Sequence, residues 1–396
     1  MTEQLHLGLL GLDRGGAVLL RETLRSLPPG TRLEVLGNAP DLTQHLRAFA
    51  RAAGHGFAEH AERIAGGVIE VGSAASDRLV GAERAGAVAI DGVVDSPSPN
   101  WGLAARGALV ESGVPPFGFT LASKDALWAD DLARMVADAM AGQWDPAAAI
   151  PWDAPLEHGE FLEDALVRVL TYLIENETAA LLVPARFAAQ VHPHFREVMQ
   201  LLAIQAADEA RHIEVFTRRA RMRRAQLGSS TVGGQASLKT LIDEPDFELA
   251  SLLLSVLGEG SFVHLLGFLH RHAPDRATAE IMRLAAIDEA RHVAFGVAHL
   301  ERHAKLDPSV RPRLALAIER RHATLSHTAG LNEDVFDALV VLAGGGLEPA
   351  AIARGNAAVE ALVSHMDAGR RQRLARLGFD PSQAEKLSAL HTRNFM

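Results

Sequence analysis

Cysteine is absent from this 396-residue chain. That excludes disulfides, thiolate metal sites and thiol nucleophiles, so any metal must be held by histidine and carboxylate. Aromatic residues make up only 5% of the chain, and tyrosine occurs once, as Tyr172. Basic residues are outnumbered, 39 Lys and Arg against 49 Asp and Glu, for a formal charge of −10. Such a balance argues against a nucleic-acid-binding surface. No uninterrupted apolar run nears the ~20 residues of a membrane span, so no membrane crossing is expected. The opening residues, MTEQLHLGLLGLDRGG, have no basic segment ahead of an apolar one. They read as no signal peptide, and the expected compartment is the cytoplasm. What remains is an ordinary globular composition, 48% hydrophobic and 22% charged, long enough for one large core or two to three smaller ones.

Four regions emerge from patterning. Residues 1–75 alternate strand and helix signals, with strands at 5–10, 32–37 and 67–72 and helices at 17–27 and 41–54. In the second helix Asp41 and Gln44 stand at the positions of a capping box. This is a small two-layer α/β unit. Residues 76–150 form a turn-rich connecting region in which only 125–142 reads as helical. From 151 to 305 helical periodicity dominates. Leu162, Leu166, Val169, Leu173, Ala180 and Pro184 track one face of a first long helix, and a second begins near Pro193. A linker of about 20 residues, 226–245, precedes a third helix at 246–272 and a fourth at 273–303 with Asp275 as its cap. Two short links and one long crossover give the connectivity of a ferritin-like four-helix bundle. Residues 306–396 read as further helices broken at 344–346 and 379–381. The predicted class is mainly α, a bundle with a small α/β unit before it.

The bundle carries an internal repeat. DEARH stands at 208–212 and again at 288–292. Chance odds for one copy are roughly one in three million per position, so a second copy signals common descent or common use. On a helix, Glu and His three residues apart share a face. Glu209 with His212 can therefore grip one metal ion, and Glu289 with His292 a second. A bundle of this kind then needs an inward carboxylate from each remaining helix. The third helix offers Glu259 inside an apolar stretch, where an ionised carboxylate is costly unless paired or metal-bound. Gly258 and Gly260 flank it, which suits a close approach or an irregular turn. The first helix offers Glu175 and Glu177. Aligning Glu177 with Glu259 superposes Leu170 on Leu252, Ile174 on Val256 and Leu181 on Val263, whereas aligning Glu175 puts Arg168 on Leu252. Glu177 is therefore the candidate ligand.

A repeated helix pair of this form closely resembles the ferritin-like dinuclear carboxylate proteins, over roughly 157–304. Within them it is most similar to the branch with Asp-Glu-x-Arg-His twice, as in bacterial multicomponent monooxygenase hydroxylases. Carried over residue by residue, the resemblance makes Glu177, Glu209, His212, Glu259, Glu289 and His292 metal ligands. It implies that Asp208 and Asp288 accept the other ring N–H of a ligand histidine, and that Arg211 and Arg291 pair with those aspartates. Oxygen and nitrogen donors without sulfur suit iron or manganese. The expected cofactor is two iron ions, with manganese or a mixed iron–manganese pair as the alternatives.

Three departures set the chain apart within the resemblance. The radical tyrosine of ribonucleotide reductase small subunits falls on Phe216, the threonine of the multicomponent hydroxylases on Val263, and the third histidine of arylamine N-oxygenases on Ala285. The implied activity is a non-haem diiron oxidase or oxygenase acting with O2 on a small organic substrate. An electron-donor protein is the implied partner. The rival readings are an iron-oxidising, iron-handling protein and an interaction protein that uses metal only for stability. Residues 7–57 resemble the TusA-like sulfur-carrier fold, but Arg14, Gly15, Gly16 and Ala17 replace its Cys-Pro-x-Pro. Lacking the cysteine, that unit is expected to act in docking or homodimer formation. Gln205, one turn before Glu209, is either a site-lining or a packed polar residue. His192, His194, His264, His270 and His272 read as surface or loop histidines.

Overall fold

The alternating signals at the N-terminus become a β-α-β-α-β-β unit in the computed structural model, which describes residues 2–60, 65–74, 79–86, 92–325 and 333–390. Strands β1 (Thr2–Gly8) and β2 (Arg32–Gly37) are parallel, joined through helix α1 (Gly16–Arg25) as a parallel pair requires. Helix α2 (Leu42–Ala52) leads to β3 (Gly56–Ala58) and β4 (Gly66–Glu70), and the sheet order is β1-β2-β4-β3. Leu20, Leu24, Leu33, Val35, Leu46 and Ile69 fill the space between helices and sheet. Asp41 differs from expectation. It bounds α2 with φ 58°, and its side chain makes no capping bond, since an N-cap carboxylate reaches back only from extended backbone. Arg14 lies in the exposed turn before α1. A two-stranded sheet, β5 (Glu83–Arg84) with β6 (Leu109–Val110), belongs to the same compact unit, which spans 1–92 and 98–117.

The second unit comprises 93–97 and 118–396 and is helical. Helix α3 (Leu132–Ala141) precedes the four bundle helices. These are α4 (Glu160–Ala188), α5 (Arg196–Ala220), α7 (Phe247–Arg271) and α8 (Arg276–Leu306). The long crossover is not a plain linker, because it contains α6 (Val232–Ile242), with Thr231 capping the Gly234 N–H. After the bundle come α9 (Val310–Leu325), α10 (Glu333–Gly344), α11 (Pro349–Arg376) and α12 (Pro381–Ala389). The expected breaks are real. The helix before the triple glycine ends at Gly344, and Asp380 forms a capping box with Gln383.

The bundle core is a continuous layer of aliphatic and phenylalanine side chains that includes Leu166, Leu170, Leu173, Phe187, Leu202, Leu252, Leu265 and Ile281. Each such residue is stabilising by roughly 1.5–3 kcal/mol on burial. At one end a fully buried Arg219 ties three helices. Its guanidinium donates twice to Glu163 on α4, both at 2.9 Å, and at 2.6 Å to Asp275, the cap of α8. Among the described residues one continuous helical run, α7, is long and apolar enough to cross a membrane, and most of it is buried as the third bundle helix. That helix is not uniform. Leu252–Glu259 is π-helical, a local widening that often accompanies functional sites.

Candidate metal centre

All six expected ligands converge at mid-bundle, and none is more than 5% exposed. Glu177 comes from α4, Glu209 and His212 from α5, Glu259 from the end of the π-helical segment, and Glu289 and His292 from α8. Ligand atoms of Glu177, Glu209, His212 and Glu289 lie within 4.8 Å of one another, as do those of Glu209, Glu259, Glu289 and His292. Two overlapping groups share Glu209 and Glu289, so the arrangement could hold a pair of metal ions. Glu175, two residues from Glu177, is partly exposed and lies outside both groups.

The histidine rings are oriented from behind. His212 Nε2 lies 3.1 Å from Asp288, and His292 Nε2 lies 3.2 Å from Asp208. Each aspartate thus serves the histidine of the other DEARH copy. The Nδ1 atoms face the carboxylates, at 3.2 Å from Glu209 for His212 and 3.0 Å from Glu209 for His292. Burial pushes Asp288 upward, but hydrogen bonds from His212, Trp144 and Arg211 outweigh it and hold the group below the ordinary carboxylate range. Burial likewise opposes ionisation of Asp208, and His292 prevails over it. Both aspartates therefore stay charged and favour a proton on Nε2 of their histidine, which would leave Nδ1 free to hold a metal ion.

Arg211 and Arg291 complete this layer. Arg211 donates to Asp208 and, at 3.0 Å, to Asp288, while Arg291 donates to Asp288 and lies 3.5 Å from Asp208. The connecting region, which sequence reading left without a role, supplies the cover. Gln143 donates to Asp208 at 2.8 Å and accepts from Arg211 at 2.8 Å, and Trp144 donates to Asp288 at 2.8 Å. Arg211 also stacks on the Trp144 ring, 4.6 Å from its centre. A side chain at Gly142 would place its Cβ 2.6 Å from Arg291 Nη1, so it would have to displace the end of that arginine. No periodicity announces these residues, because they act from the turn after α3 rather than from a helix face. Gln205, for which the sequence left a site-lining and a packed role open, donates to Glu259 Oε1 at 2.7 Å.

The donor set fits two divalent cations. Glu177 Oε1, Glu209 Oε1, Glu259 Oε2, Glu289 Oε2 and His292 Nδ1 are buried without a hydrogen-bond partner, a concentration of unsatisfied groups that native interiors avoid unless something else binds them. His292 Nδ1 and Glu209 Oε1 are 3.0 Å apart, yet not aligned to bond. Burial, then the charge of Glu209, pushes Glu177 up to about 8. Burial also raises Glu259 and Glu289, with neighbouring glutamates adding to it. Four carboxylates cannot all ionise in a dry interior on their own. Two doubly charged cations would balance them.

Phe216 is fully buried with its ring 6.1 Å from that of His212, and Ala285 is fully buried. Of the other histidines, His192 and His194 are not surface residues. Both are buried in the turn before α5, where His194 accepts the Val94 N–H at 3.0 Å.

No protein-family profile matches the chain, and no curated protein does. Among solved structures, the chain is similar to R2-like ligand-binding oxidases. One, a point mutant with an anaerobically reconstituted Mn/Fe cofactor, is 15% identical, with 63% of this chain and 94% of that chain covered and a TM-score of 0.47. Another, a mutant with an aerobically reconstituted Fe/Fe cofactor, is 15% identical at the same coverage, with a TM-score of 0.48.

Proposed function

We propose that Glu177, Glu209, His212, Glu259, Glu289 and His292 hold two iron ions, or one manganese and one iron, and that the protein is an O2-dependent oxidase or oxygenase of a small organic molecule. The observation that carries the reading is the set of unsatisfied, buried carboxylate and imidazole atoms converging from four helices. A pair of redox-active ions supplies electrons to O2 and the oxidising power for a substrate. The chain's own residues hold and orient. Asp208 and Asp288 keep each histidine's Nε2 protonated, Gln205 fixes one oxygen of Glu259, and the apolar walls exclude water. The N-terminal unit, with Arg14 where a sulfur carrier has cysteine, is read as a docking or dimerisation module.

Metal loading tests the reading against an iron store. Anaerobic Fe(II) titration should saturate near two ions per chain, as two ligand groups imply, and Glu259→Ala should lower that number. On admitting O2, gas consumption should accompany iron that stays protein-bound. Uptake of many further ions per chain as mineral would overturn the oxidase in favour of a store.

A further inference from the structure

The C-terminal helices reach back to the site at one point. Arg373 of α11 donates from Nε to the carbonyl of Val256, at 2.6 Å. Val256 lies inside the π-helical segment that ends on Glu259. The guanidinium lies over Gly260, where a Cβ would stand 2.4 Å from Arg373 Cζ. That close approach accounts for one of the two glycines beside Glu259 in an otherwise apolar helix. Among the described residues no carboxylate lies within ion-pair distance of Arg373, so its directed contact is with the helix backbone and not with a counter-charge. Burial and the nearby Arg370 lower it to about 10, which leaves it charged at neutral pH.

We propose that Arg373 is a positioning residue for Glu259, pinning the π-helical segment that aims this carboxylate. A π-helical stretch holds its extra residue against the preference for ordinary α-helix, and a charged donor on one of its carbonyls favours the widened form. Relaxation to regular α-helix would rotate the downstream side chains by about 100° per residue of register. Glu259 would then swing away from Glu209, Glu289 and His292. Gln205 holds one oxygen of Glu259 from inside the bundle, and Arg373 holds its backbone from outside.

The test rests on the metal reading in one of its two arms only. Wild type, Arg373→Met and Gly260→Ala are titrated anaerobically with Mn(II), followed by electron paramagnetic resonance. Hydrogen exchange over 252–261 is measured on the same metal-free proteins. Gly260→Ala displaces only the far end of the arginine side chain, so it carries the test should Arg373→Met fail to fold. In both variants one ion should bind as in wild type, at the group containing His212. The other, at the group containing Glu259, should weaken about 10–100-fold, and exchange over 252–261 should quicken. Unchanged affinity and exchange would overturn the proposal. So would equal weakening of both ions, which is the result that loss of general packing gives. If wild type binds no Mn(II), the metal reading is the one that fails. Exchange in the metal-free variants then still decides whether Arg373 pins the segment.

Discussion

Asp208 and Asp288 are the residues on which the centre turns, because each reaches across to the histidine of the other repeat. A carboxylate behind an imidazole fixes which nitrogen faces the metal and raises its basicity. Asp288→Asn keeps the shape but removes the charge that holds the proton on His212 Nε2. Mn(II) affinity should fall about 10–100-fold at the group containing His212, with the group containing His292 much less affected. Selective loss at His292 instead would show that the crossed pairing is wrong. Trp144 and Gln143 bond to the same two aspartates, so local order in the turn after α3 is coupled to the orientation of both rings.

Between elements, His299 makes a joint of a different kind. It is fully buried on α8, shares a 2.7 Å hydrogen bond with Ser251 of α7, and lies 3.2 Å from the Ala126 carbonyl. Phe247 and Phe295 pack their rings on it, at 5.1 and 5.2 Å. Desolvation lowers its pKa from 6.5 to about 3. The unfolded chain therefore takes up a proton below pH 6.5 that the native chain refuses. Stability attributable to this histidine is fully present above pH 6.5, and falls as the pH drops toward about 3. The steepest slope is about 1.4 kcal/mol per pH unit. His299→Gln should lower the melting temperature at neutral pH but flatten its decline between pH 6 and 4. Parallel curves for the two proteins would show that His299 is charged in the native state.

At the scale of the molecule, the chain leaves the first compact unit after Gly92, returns at Ser98 and leaves again after Phe117. All six residues proposed as ligands, and the side chains that bond to them, lie beyond that last crossing. A protein beginning at Gly118 should accordingly still bind two Mn(II) per chain, though less stably, since buried Val93 and the bond from Val94 to His194 are lost with the segment removed. Binding of fewer than two ions by a folded truncated chain would show that the first unit is needed to form the centre.

The convergence of these six residues was legible in the primary structure because helical geometry makes Glu-x-x-His a local statement, and because duplication supplied an internal alignment that chose Glu177 over Glu175. Bundle connectivity came from periodicity and linker lengths, and so did the Asp275 cap. The rest needed the folded chain. Which aspartate serves which histidine depends on the packing of α5 against α8. The roles of Gln143, Trp144 and Gln205 depend on which polar groups the fold buries together. The π-helical turn at 252–259 has no local signature beyond its glycines: its extra residue is held by Arg373, more than a hundred positions away, and only packing brings that side chain to the carbonyl it bonds.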